Sequence, residues 1–517
     1  MDPNSTRSVL VDSRQGAKIR ELQCPFQTSA FSISDKALPE NPYSESYPQD
    51  FVIRNGSQLQ VNGEPFHFAG FNNYYLPTYA ADPHFLIERT GDVDVIFRDA
   101  TQLGLTVLRT WAFADGAQWN AIQPSLGVLD ERVLSEGLDY VVATACSNNI
   151  RVVLTLTNYL TAFGGMQTWV QWFQGDNISD FYKSLAIRNA FKYYVKAILM
   201  RRNSITGVLY KDDPTIMAWD LANEPWVLGD DSGQTLTAWV KDMADFVKGI
   251  DPNHLVMVGT WGYFGVSSPQ LMAENPYDLS WRSSDSSNNA GIWSADPVCK
   301  GEDFHAIMSN TSVDIGSVHL YPEFWQVCTD DCKINLNNGP VSVQASLSNL
   351  GYWSLCSLDC KVKFLKRWLH VHFEEGAAIG KPVLVGEFGS QRPMAARNAI
   401  YAAVYDEILQ SALVGLPVAG SMFWILSSPV HGDFDDYTIY TDASKYPHNP
   451  QPFVPLPGEV PCTSPVIGTD FFQSMPYLQC AANHVPLPFN SSVDIFTDGW
   501  NEILRLISQQ AAALSNL

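Results

Sequence analysis

The chain has 517 residues, 46% of them hydrophobic and 15 of them tryptophan, a composition that makes a large folded core and excludes a disordered protein. With 54 acidic against 32 basic side chains its formal charge is −22. Such a surface repels phosphate backbones and argues against nucleic acid and for a neutral polymer as partner, and no apolar run is long enough to span a bilayer.

Residues 1–49 are polar, contain proline and lack periodicity, and read as an extended arm before one catalytic unit over residues 50–517. The start, Met1 to Arg7, carries no apolar stretch, so no signal peptide is visible. A hairpin is expected next: Gln58–Val61 turns at Asn62-Gly63, and Pro65–Phe68 returns. Strand-like and helix-like segments then alternate, the pattern of a parallel sheet. Strands are predicted at Phe66–Asn72, Thr106–Thr110, Arg151–Leu156, Ile216–Leu221, Leu255–Val258, Asp314–His319, Val383–Gly386 and Val418–Ile425. Helices are predicted at Val93–Leu103, Glu131–Ser147, Ser184–Met200, Leu236–Gly249, Val362–Gly376 and Ala396–Leu413. A last amphipathic helix, Trp500–Ala513, puts Ile503, Leu504, Leu506 and Ile507 on one face. Eight strand–helix pairs predict an α/β fold, a (β/α)₈ TIM barrel. Long stretches near 266–311, 326–360 and 428–492 read as inserted binding loops.

Nine cysteines occur: Cys24, Cys146, Cys299, Cys328, Cys332, Cys356, Cys360, Cys462 and Cys480. With sequons at Asn4, Asn55, Asn177, Asn310 and Asn490, they favour an oxidising, extracellular setting and a secreted glycoprotein. The pairs Cys328-x₃-Cys332 and Cys356-x₃-Cys360 suit disulfides better than zinc, whose pairs are closer or contain histidine, and three pairings stay open. A monomer is expected.

Two glutamates carry the chemistry. Glu224 ends the run Ile216-Met217-Ala218-Trp219-Asp220-Leu221-Ala222-Asn223, and Glu387 ends Pro382-Val383-Leu384-Val385-Gly386. Both runs read as buried strands that stop on an acid, and the carboxyl ends of barrel strands converge on one mouth. Two carboxyls meeting there can cleave a glycosidic bond, one as proton donor and one as nucleophile. Other strand ends add Arg109, a cation to hold a carboxylate ionised; His319 and Tyr321, either able to donate to Glu387; Asn223, for a sugar hydroxyl; and Trp424, a flat face for a sugar ring.

In these residues the chain resembles glycoside hydrolase family 5. Asn223-Glu224-Pro225, His319-x-Tyr321, Glu387 and Trp424 carry the likeness. Gly70-Phe71-Asn72-Asn73-Tyr74, Leu105 through Arg109-Thr110-Trp111-Ala112-Phe113, Tyr210 through Ile216, and Asp314 through Pro322 look like its endo-β-1,4-mannanases. The resemblance implies Glu224 as acid/base and Glu387 as nucleophile, with Arg109, Trp111, Asn223, His319 and Tyr321 in support, Trp424 as sugar platform and Asn158 in contact with substrate. It implies retaining hydrolysis of mannan, glucomannan or galactomannan, with no cofactor and no metal. Two departures touch the substrate loops. Tyr159-Leu160 stands where a further Asn and a Trp are usual, and Gly259-Thr260-Trp261-Gly262-Tyr263 stands where a Glu before Gly-Phe is usual. They leave a β-glucanase, a mannan transglycosylase, an exo-mannosidase or a non-catalytic polysaccharide-binding barrel as alternatives.

Overall fold

The computed structural model describes residues 51–82, 86–278, 300–322, 325–326, 358–391, 394–428, 437–441 and 494–517. The arm assigned to residues 1–49 lies outside the described residues, as do 279–299, 327–357, 429–436 and 442–493 of the three expected insertions.

Three short antiparallel strands open the chain: β1 (Ile53–Asn55), β2 (Gln58–Val61) and β3 (Glu64–Pro65). Asn62 and Gly63 turn the second pair at φ 56° and 85°, the two left-handed conformations that a two-residue hairpin loop requires. The returning strand stops at Pro65, sooner than predicted, because Phe68 already belongs to the barrel.

The remaining strands, in chain order, are β4 (Phe68–Asn72), β5 (Val107–Trp111), β6 (Arg151–Thr155), β7 (Ile216–Asn223), β8 (Leu255–Gly259), β9 (Tyr277–Asp278), β10 (Gly316–Leu320), β11 (Trp325–Gln326), β12 (Val383–Phe388) and β13 (Val418–Phe423). Eight of them form one parallel sheet in the order β10-β12-β13-β4-β5-β6-β7-β8. Its two edges meet through a Met257–Ile315 bridge and a bond from Asp314 N–H to the Val256 carbonyl, which closes the barrel. The strands β9 and β11 pair separately. Every residue of the eight barrel strands is buried, which is why they read as unbroken apolar runs in the sequence.

Two apolar layers result. One lies between the sheet and the surrounding helices and includes Trp219, Trp239 and Trp368. The other fills the barrel with Phe68, Val107, Val153, Met217, Met257, Leu384 and Met422, and Val52 and Leu59 of the opening hairpin join it. The hairpin therefore plugs the amino-terminal end, and the carboxyl ends of the strands are left for chemistry.

The predicted helices occur as Leu86–Gln102, Leu185–Leu199, Gln234–Ile250, Leu358–Ile379, Met394–Leu413 and Asp494–Leu514, each within a few residues of its expected bounds except for earlier starts at 86, 358 and 494. Ser184, expected inside its helix, instead caps it, its hydroxyl accepting from Ile187 N–H. The stretch expected as one helix over 131–147 is interrupted by a π-turn at Leu134–Leu138. At its centre Gly137 comes so close to the Pro77 carbonyl that a Cβ would lie 2.2 Å from the oxygen. In the last helix Ile503 and Ile507 are fully buried, Leu504 and Leu506 only partly, and it packs on Met394–Leu413.

A further helix, Gly165–Trp172, was not expected; three consecutive left-handed residues, Phe163, Gly164 and Gly165, lead into it. Among the described residues no helix is long and apolar enough to cross a membrane. Cys146 and Cys360 are each disulfide-bonded.

Asp115, just beyond β5, is buried with its carboxyl accepting from Trp169 Nε1 at 3.1 Å and Gln123 Nε2 at 3.3 Å, while its N–H bonds the Phe163 carbonyl. Burial pushes this carboxyl up to about 8 against the pull of those two donors. The folded-state value lies above the unfolded one, so the folded chain holds a proton that the unfolded chain releases. That contribution to stability is full below an unfolded value of 3.8 and disappears as pH rises toward about 8. Melting temperatures measured across that range should show Asp115→Asn gaining on the parent chain as pH rises.

Candidate active site

Arg109 of β5 is wholly buried and reaches four acceptor groups on three other strands. Its Nε and Nη2 donate to Asp220 Oδ2 at 2.9 and 2.8 Å, and Nη2 also to Asn223 Oδ1 at 2.8 Å. Its Nη1 donates to Asn72 Oδ1 at 3.1 Å and to Glu387 Oε1 at 2.5 Å. Burial opposes the charge, but Asp220 and Glu387 outweigh it and raise the guanidinium further. Asp220 is itself held by Thr155 Oγ1 and by Gly259 N–H.

Glu387, on β12, has its second oxygen filled as well. The Tyr321 hydroxyl donates to Oε2 at 2.7 Å. Burial first, and then the charges of Glu387 and Glu224, push that phenol well above its ordinary range, so it stays a donor.

Glu224 follows the last residue of β7 with φ 45°, a left-handed backbone unusual for a residue with a side chain and costing about 1–3 kcal/mol. A bond from its N–H to the Gly259 carbonyl, 2.7 Å, holds the turn. Its Oε1 lies 2.9 Å from His319 Nδ1, which is 3.6 Å from Glu387 Oε2. Desolvation by burial lowers the imidazole to about 4, so the ring is neutral. Glu224 is 5% exposed and Glu387 3%, so both acids lie in a narrow recess. One oxygen of each and a His319 nitrogen all lie within 4.8 Å of one another.

Aromatic rings line the rim. Trp424, half-buried just past β13, stacks on Tyr74 with ring centres 5.2 Å apart and planes 3° apart. Tyr74 meets Trp111 at 5.1 Å, and Trp111 meets Phe163 edge-on at 5.4 Å. Tyr437, from beyond β13, sets its ring edge-on to Tyr321 at 5.3 Å.

A family model described as GH family 5 beta-mannosidase-like matches residues 49–278. Mannan endo-1,4-beta-mannosidase 2 of Oryza sativa subsp. japonica is 36% identical over 419 residues, 77% of this chain and 83% of that protein. Mannan endo-1,4-beta-mannosidase 3 of Arabidopsis thaliana is 35% identical over 400 residues, 75% of this chain and 84% of its own. The solved endo-beta-1,4-mannanase from Thermotoga petrophila superposes with a TM-score of 0.57 at 31% identity, covering 74% of this chain and 75% of that one.

The chain belongs to the mannanase branch of glycoside hydrolase family 5.

Against the expectations for this family, Arg109, Asn223, Glu224, His319, Tyr321 and Glu387 come together in one hydrogen-bonded group, with Trp111 and Trp424 at its rim. Of the two groups able to donate to Glu387, Tyr321 does so, while the His319 ring bonds Glu224. Asn158 is fully buried, its Oδ1 accepting from Asn223 Nδ2 and Leu160 N–H and its Nδ2 donating to the Ala162 carbonyl, so it braces Asn223 and a loop. Asn223 in turn uses its amide on Arg109 and Asn158.

Asp220 and Asn72 were missed as site residues, although an acid inside a buried strand was a visible signal for the first. Phe163 gave no signal, because its left-handed backbone is set by the fold. The missing fifth-strand acid has a counterpart from elsewhere in the chain: Glu302 accepts from the N–H groups of Trp261, Gly262 and Tyr263. By spacing alone Glu224, His319 and Glu387 would also suit a metal ion. Both oxygens of Glu387 are already taken by Arg109 and Tyr321, so a pair of glycosidase carboxyls accounts for the cluster better.

Lysine keeps the charge of Arg109 but presents a point donor that cannot span four acceptors. Arg109→Lys should therefore lower kcat by about 100-fold, as expected of a displaced reacting group. Steady-state kinetics beside an unchanged circular dichroism spectrum would check this.

Proposed function

We propose that this chain hydrolyses internal β-1,4-mannosidic bonds of mannan, glucomannan or galactomannan by double displacement, with retention at the anomeric carbon. The observation that carries the proposal is the pair of carboxyls, with oxygens within 4.8 Å, held in unlike surroundings. Retaining pairs stand about 5–5.5 Å apart, against about 6.5–9.5 Å for inverting pairs that must admit a water. Glu387 accepts from a guanidinium and a phenol, which favours the anion and suits a nucleophile. Glu224 faces a neutral imidazole, which suits an acid that gives up its proton and later takes one from water.

In the first step Glu387 attacks the anomeric carbon while Glu224 protonates the leaving oxygen. In the second, Glu224 removes a proton from water, and the resulting hydroxide displaces Glu387. Trp424 and Tyr74 offer an apolar face to the C–H side of a sugar ring, and the relatives named as mannan endo-1,4-beta-mannosidases support mannose as that sugar. The disulfides at Cys146 and Cys360 support an extracellular, oxidising setting, and one chain supplies every group invoked, so a monomer suffices.

Digestion of defined manno-oligosaccharides should release internal fragments whose new reducing ends are first β, followed by NMR before mutarotation. Initial α products would end the retaining assignment. Glu387→Ala should lose all turnover with the fold intact. Glu224→Ala should keep far more activity on an aryl mannoside with an acidic leaving group than on mannan, since such a leaving group needs no proton.

A further inference from the structure

Beneath the two carboxyls lie two buried polar atoms with no hydrogen-bond partner: Nε2 of His319 and Oγ of Ser317. Both residues belong to β10, two positions apart, and are 0% and 1% exposed. They converge on Gly386 of β12, where a Cβ would lie 2.2 Å from Ser317 Oγ and 3.1 Å from His319 Nε2. The two atoms do not bond each other; the glycine leaves them one small shared space, which a single water spans.

The other ring nitrogen decides which of the two needs a donor. Nδ1 faces Glu224 Oε1 at 2.9 Å and Glu387 Oε2 at 3.6 Å. A lone pair aimed at two carboxyls is repelled, whereas an N–H is attracted. The ring is buried and neutral, so it carries one proton only. With that proton on Nδ1, Nε2 is an acceptor, and the donor beside it is a serine hydroxyl. Among the described residues the charged or titratable groups around the ring are Asp220 from β7 and Glu224 just past it, Glu387 from β12, Arg109 from β5 and Tyr321 just past β10.

We propose that Ser317 is a positioning residue for proton transfer: its hydroxyl donates to Nε2 of His319 through one water, and so locks the ring proton on Nδ1 against Glu224. The proposal rests on the assignment of Glu224 as acid/base. With Nδ1–H donating to Oε1, the proton of Glu224 sits on its other oxygen, from which it passes to the glycosidic oxygen. Without Ser317 the ring proton moves to Nε2. The bare Nδ1 then accepts from protonated Glu224, turning its proton away from substrate and strengthening its hold on it.

The test is ¹⁵N NMR of the full chain labelled only at its 10 histidines, with His319→Gln assigning the signal. The native ring should show a protonated Nδ1 and a hydrogen-bonded acceptor at Nε2; a protonated Nε2 overturns the proposal, whether or not any variant folds. In Ser317→Ala the proton should shift to Nε2, kcat should fall about tenfold at unchanged KM, a fraction of what general acid catalysis supplies, and the alkaline limb of the kcat profile should move to higher pH. Ser317→Thr should restore all three. A folded Ser317→Ala with the native tautomer and pH profile overturns the proposal. Full activity in Glu224→Gln alongside a native Nδ1–H would instead overturn the acid/base assignment and leave the Ser317–His319 link standing.

Discussion

One guanidinium shared between two carboxylates holds this site together. Arg109 contributes a single positive charge, and Asp220 and Glu387 bring two negative ones into the same water-free interior. Such a group is stable only when its donors and acceptors are matched, because an unpaired buried charge costs several kcal/mol. Here they are matched closely: Asn72 and Asn223 take further N–H donors, and Thr155, Gly259 and Tyr321 donate to carboxylate lone pairs that Arg109 does not fill. Glu387 is thereby tied to β4, β5, β7 and β12 together. Its position depends on the register of half the barrel more than on its own strand.

The second acid is held by different means. Glu224 has a left-handed backbone pinned to β8 and a His319 ring nitrogen beside its side chain. A guanidinium and a phenol surround one carboxyl, and a neutral imidazole faces the other, so two buried acids sit in unlike surroundings. The two ends of the barrel divide the remaining work. Val52 and Leu59 close one end with apolar packing, while buried polar groups crowd the other.

The eight strands and seven of the helices were legible because each is buried on both faces or along one stripe, and those burial patterns are periodic in the chain. Strand ends with acids were legible for the same reason, since a Glu is conspicuous after an apolar run. The helix Gly165–Trp172 was not, because its glycines resemble a loop and its start depends on a backbone twist set by contacts with Asp115 and Asn158. For Asn158 the family resemblance implied contact with substrate, and only packing revealed that its amide also bonds Asn223.

The order of residues by itself determined the barrel, the two acids at its strand ends and the family to which they belong, since periodicity and short motifs are local. Tertiary structure alone decided which donor serves which acid. His319 and Tyr321 stand two residues apart, yet one bonds Glu224 and the other Glu387, because a shift in pairing between β10 and β12 falls beside His319. It also decided that Asp220 and Asn72 belong to the site, as their partner Arg109 lies 111 and 37 residues away along the chain. Hydrogen bonds depend on separations in space of about 3 Å, and separation in sequence carries no record of them.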